Sequence, residues 1–107
     1  MTYEEIRKNH EVNTYISQAD LSLSALGFTE HSFAHCTMVA EKAGYILQTL
    51  GYDERLVELA KIAGYLHDIG NLVNREEHSQ SGAIIAFRIL DHLDLLPEEI
   101  GTIVTAI

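Results

Sequence analysis

Apolar residues recur with helical spacing along almost the whole chain, and no segment alternates with period two over the length of a strand. From about Tyr3 to Ser17, Ile6, Val12, Tyr15 and Ile16 form a partial stripe that predicts a first helix. Asp20 is placed to cap a short helical piece from Leu21 to Leu26, closed by Gly27. Thr29 is an N-cap for a long helix running to about Leu50, with Phe33, Cys36, Val39, Ala40, Ala43, Ile46, Leu47 and Leu50 as its apolar face. Gly51 supplies its stop. Asp53 caps the next helix, which is almost continuously apolar through Leu56, Val57, Leu59, Ala60, Ile62, Ala63 and Leu66. A helix of that kind is central and buried on more than one face. The polar segment Asn71 to Glu77 connects to a helix over about Ser79 to Leu93. Pro97 suits the first turn of a last helix, with Glu98 and Glu99 near its positive end, and that pattern is still running at Ile107.

The expected fold is therefore all-α, a compact bundle of about five to six helices in one domain over residues 1–107, which we expect to be truncated at its C-terminus. A hydrophobic fraction of 47% is that of a folded globule. The apolar stretches are short and broken by charge, so none spans a bilayer, and the acidic N-terminus lacks the apolar core of a signal peptide. A cytoplasmic location is the default expectation. The single cysteine, Cys36, excludes an internal disulfide and reads as a small buried side chain. A formal net charge of −9 opposes stable binding to nucleic acid or an anionic membrane, although a bound metal cation would invert the field locally.

The chemistry is concentrated at His67-Asp68, where the central helix runs out before Ile69-Gly70. An imidazole and a carboxylate are both metal-grade ligands. Neighbours within a helix point about 100° apart, but at a terminus they can converge. Taken alone, the dipeptide reads more simply as a core imidazole beside a locally capping acid. Its surroundings change this. His35 opens the apolar stretch of the preceding helix, and two antiparallel helices of these lengths bring it within reach of His67.

His35 ahead of Val39-Ala40, followed by Leu66-His67-Asp68-Ile69-Gly70, resembles the HD-domain superfamily of metal-dependent phosphohydrolases over roughly Thr29 to Leu90. The resemblance implies an HD-like helical fold with His35, His67 and Asp68 as metal ligands. It also implies His78 as a second-metal ligand or phosphate donor, and a further aspartate from a later helix. That acid is expected beyond Ile107; otherwise another group or water completes the site. Asp91 and Asp94 come too early and read as a solvated helix end. Many members carry lysine where this chain has Asn71, which can donate a hydrogen bond but brings no charge. Arg75, in the same loop, is the candidate to replace that charge. His31, one turn before His35, ranks lower as a ligand. His10 and His92 read as surface residues, Tyr45 and Tyr65 as packing, and Lys42 and Lys61 as solvated.

The activity implied is hydrolysis of a phosphomonoester or phosphodiester, in a phosphorylated small molecule or a nucleotide, with one or two divalent ions drawn from Mn, Fe, Co, Ni, Zn and Mg. Asp68, His78 and Arg75 are the residues assigned to catalysis. The alternative is a non-catalytic HD-like module that binds a nucleotide or regulates a partner. Substrate, metal identity and oligomeric state are left open.

Overall fold

The computed structural model describes residues 1–25, 32–73 and 77–107. Within them the elements are α1 (Tyr3–Arg7), α2 (His10–Ala25), α3 (Ser32–Thr49), α4 (Glu54–Leu66), a 3₁₀ segment (Ile69–Leu72), α5 (His78–Asp91) and α6 (Pro97–Ala106). No strand occurs among the described residues.

The N-terminal region departs from the reading of its sequence. The first helix does not run to Ser17. Thr2 and Glu5 form a capping box that starts α1, which ends after Arg7. The Asn9 side chain then accepts from the Val12 amide at 3.0 Å, starting α2 afresh. Asparagine offers the backbone this alternative partner, and the chain turns there. Nor does Asp20 cap a separate piece, for α2 passes straight through it to Ala25. Val12, Ile16 and Ala19 are buried on one face of α2, which packs on the 3₁₀ segment. That burial outweighs the local capping preference of aspartate. Gly27 and Thr29 lie outside the described residues.

The α3–α4 pair behaves largely as its caps foretell. Gly51, at φ +87°, takes the left-handed conformation that closes α3. Asp53 accepts from the Leu56 amide at 2.8 Å and opens α4. Seven residues of α4 are buried, from Val57 to Leu66, so it is the central rod. The broad apolar face assigned to α3 is narrower than its sequence suggests. Cys36, Ala40 and Gly44 are buried, while Phe33, Ile46 and Leu50 stand exposed, and so does Tyr45. The reason is the close crossing of the two helices. A Cβ on Gly64 would lie 2.9 Å from the Ala40 Cα, so backbone meets backbone there. Only small side chains fit along such a seam, and the larger apolar ones are turned outward.

The core is filled by Ile6, Val12, Ile62, Leu66, Ile69, Ile89, Leu90 and Ile103, contributed by most of the elements. Its rim is tied by Arg55, whose guanidinium donates to Glu99 on α6 and, at 2.7 Å, to the Met1 carbonyl. Tyr65 is buried and its hydroxyl donates to the Asn13 side chain at 2.8 Å, joining α4 to α2. Burial pushes that hydroxyl's pKa up to about 12. No described helix is long and apolar enough to cross a membrane.

Candidate metal centre

The helical conformation gives out at the step that matters. His67 still has helical backbone angles as the C-cap of α4, but Asp68, at φ −102° and ψ 8°, has left the helix. The two neighbours therefore converge, as a regular helix would not allow. Asp68 also makes no side-chain cap bond to the 3₁₀ segment it precedes, so local capping does not occupy its carboxylate.

That carboxylate turns instead toward histidines from three elements. Asp68 Oδ2 lies 3.0 Å from His67 Nε2 and 3.2 Å from His35 Nε2, and its other oxygen lies 3.1 Å from His78 Nε2. The Nε2 atoms of His35 and His67 are 3.2 Å apart. The Gly64–Ala40 crossing makes this possible, because it stands about one helical turn from both histidines. The four side chains are between 25% and 37% exposed, so the cluster is sheltered yet open to solvent on one side.

Electrostatics fit the geometry. The hydrogen bond from His67 holds the Asp68 carboxyl below its usual range. Partial burial opposes this, and the charges of His67, His78 and His35 reinforce it. Asp68 is thus an anion near neutrality. His67 Nδ1 is 2.6 Å from the Gly64 carbonyl oxygen. A carbonyl can only accept, so Nδ1 carries the proton; Nε2 then donates a second proton to Asp68 in the imidazolium, or turns a lone pair toward the cluster in the neutral ring. The neutral ring is the tautomer a metal-bound histidine adopts, with its second nitrogen held by a backbone acceptor.

The donor set fits a divalent cation. Among the described residues, His35, His67 and Asp68 form the group able to hold a metal. Two imidazole lone pairs facing each other repel unless a proton or cation lies between them. Cis ligands about 2.1 Å from one ion stand roughly 3.0 Å apart, close to the observed edges. Nitrogen with carboxylate oxygen suits Mn, Fe, Co, Ni or Zn, and is less suited to Ca.

The remaining predicted residues divide. His78 reaches the far oxygen of Asp68 from the first residue of α5. Arg75 and His31 fall outside the described residues. His10, His92, Asp91 and Asp94 are exposed, and no second carboxylate joins the triad as a fourth ligand among the described residues. Asn71 is 4% exposed, and its side-chain oxygen is buried without a hydrogen-bond partner. The sequence presented it as a polar connector. Its burial follows from the 3₁₀ segment being packed between α2 and α5.

An all-helical domain whose central rod ends in a histidine–aspartate pair, faced by a histidine from the preceding helix, is a helical domain built around a candidate metal-binding cluster. The sequence pattern of the HD domain family matches residues 32–106, and the chain belongs to that family. It is also 29% identical over 109 residues to an uncharacterized protein of Methanocaldococcus jannaschii, across 87% of this chain. The chain spans 42% of that relative's length. No solved structure matches the chain.

Proposed function

We propose that His35, His67 and Asp68 hold a divalent cation and that the domain hydrolyses a phosphomonoester or phosphodiester, in a small molecule or a nucleotide. The single observation that carries this is the placement of Asp68, with one carboxylate oxygen toward His35 and His67 and the other toward His78. An ion bound at such a site supplies Lewis acidity toward a phosphoryl oxygen and lowers the pKa of water. The protein's own groups do the rest. Asp68 stays ionised and serves as a ligand, since a carboxyl held low is a poor proton donor. The Gly64 carbonyl keeps His67 in one tautomer. His78 lies on the opposite side of Asp68, where it binds a second ion or donates to a non-bridging phosphoryl oxygen. Arg75 supplies the positive charge that Asn71 lacks. Further coordination comes from water, substrate oxygen or an acid outside these 107 residues. With a net charge of −9, the protein draws an anionic substrate only where the bound cation reverses the field.

The test is turnover of an aryl phosphate and a nucleotide panel by metal-stripped protein to which Mn(II), Co(II) or Zn(II) is restored, with Asp68→Ala as control. Turnover that needs the ion and disappears in Asp68→Ala supports the assignment. Metal-dependent turnover surviving Asp68→Ala overturns it. The lack of a second carboxylate beside His35, His67 and Asp68 among the described residues, and an uncharged Asn71 after Ile69-Gly70, favour a second reading, in which the domain binds a nucleotide without hydrolysing it. Saturable nucleotide binding with no product would establish that reading.

A further inference from the structure

His78 is the first residue of α5, and a residue at a helix start is ordinarily free to drift as that end frays. Two features of the backbone oppose this. The first is the contact of Gly70 with the opening turn of α5. A Cβ on Gly70 would lie 1.8 Å from the His78 carbonyl oxygen and 2.6 Å from the Gly82 amide nitrogen. Those two atoms stand four residues apart, the acceptor and donor spacing of the helical bond that follows the Glu77–Ser81 bond opening α5. Gly70 thus lies directly over that turn. Gly82 is the opposite half of the same contact, and a Cβ there would come within 3.2 Å of the Gly70 nitrogen. The second feature is Glu77, the residue before His78. It has φ +55° and ψ 29°, left-handed values uncommon for a residue with a side chain. Its carbonyl accepts from Gln80 and Ser81 at 3.0 and 3.1 Å, so the turn is locked into the helix it begins. A non-glycine residue stays in this region only where its surroundings over-determine it.

We infer that the Gly70–Gly82 backbone contact, together with the left-handed turn at Glu77, is a positioning device that sets His78 against Asp68. Gly70 is two residues beyond Asp68 in the chain, so the residues that carry the carboxylate and the imidazole are docked to each other through bare backbone. A side chain at either glycine pushes the first turn of α5 away and lengthens the 3.1 Å approach of His78 Nε2 to Asp68. The role of His78 in holding an ion or phosphate rests on the proposed function above. The docking of its backbone does not.

The experiment pairs Gly82→Ala with His78→Ala. The Gly82 contact is the milder of the two, so that variant folds. The first readout is the ring resonances of His78 in metal-free protein, assigned by their loss in His78→Ala. The second is calorimetric titration of inorganic phosphate into Mn(II)-loaded protein. Gly82→Ala should shift the His78 resonances while leaving those of the exposed His92 in place. It should weaken phosphate binding about tenfold, as should His78→Ala, and the double variant should be no weaker than His78→Ala alone. Unmoved His78 resonances in Gly82→Ala overturn the inference. So does a double variant whose losses multiply, because Gly82 would then act elsewhere. Shifted resonances with phosphate binding indifferent to His78→Ala would uphold the docking device and refute the role proposed for His78.

Discussion

The Nε2 atoms of His35 and His67 face each other at 3.2 Å, from two helices that touch backbone to backbone one turn away. Nothing in either helix alone requires that meeting. With His67 Nδ1 protonated toward Gly64, at least one of the facing nitrogens must find a proton or a cation. Addition of Mn(II) or Co(II) should therefore stabilise the fold, by about 2.7 kcal/mol at a hundred times the dissociation constant. His67→Ala and Asp68→Ala should abolish the increment, and His92→Ala, at an exposed site, should keep it. Thermal unfolding with and without the ion measures this, and equal increments in all four proteins would refute the shared site.

Gly64 allows the crossing on which that geometry depends. Gly64→Ala places a methyl 2.9 Å from the Ala40 Cα, and the helices must part. We expect destabilisation of about 1–3 kcal/mol, the usual cost of overpacking, together with at least a tenfold loss in metal affinity. The atoms met belong to the α3 backbone, so trimming Ala40 to glycine should not rescue the variant. Chemical denaturation and metal titration on the single and double variants decide the matter.

Leu66, the last residue of α4, is fully buried immediately before the histidine–aspartate pair. Leu66→Ala should cost about 2–5 kcal/mol through lost burial and the cavity left behind. In a domain of this size that lowers the melting temperature by on the order of 10–20 °C. A fall of only a degree or two would mean that the site end of α4 is not part of the cooperative core.

Glu99 offers a test by pH. The hydrogen bonds from Arg55 pull its carboxyl from the ordinary 4.5 to about 2 in the folded protein. A folded-state value below the unfolded one gives stability that is complete above about pH 4.5 and is lost as pH falls toward 2. Glu99→Gln should cost about 1 kcal/mol at neutral pH, since the pair is partly exposed. The gap between wild type and variant should close over that acid window. Parallel stability curves from pH 5 to 2 would show that the pair contributes nothing through its charge.

Much of the architecture was legible in advance because its signals are local. Asp53, Gly51 and Pro97 act on backbone groups within a turn of themselves, and the near-continuous apolar run of α4 identifies a rod buried on several sides. The residues of the cluster were legible through the HD-domain resemblance, carried by His35 ahead of Val39-Ala40 and by the Leu66-His67-Asp68-Ile69-Gly70 run. What escaped the sequence depended on neighbours distant in the chain. Asp20 looked like a cap until α2 packed against the 3₁₀ segment. Ile46 and Leu50 looked like core until α3 met α4 through small residues. Asn71 looked like a solvated connector, and its burial is decided by α2 and α5 on either side of it.

The order of apolar and polar residues by itself determined that this chain is helical, where most of its helices begin and end, and which side chains are able to bind a cation. Tertiary structure alone decided that His35, His67, His78 and Asp68 meet at one place, and which faces are covered. The reason is physical. Periodicity and capping act over a few residues, whereas the approach of two helices is set by which side chains are small enough to be absent from the seam between them.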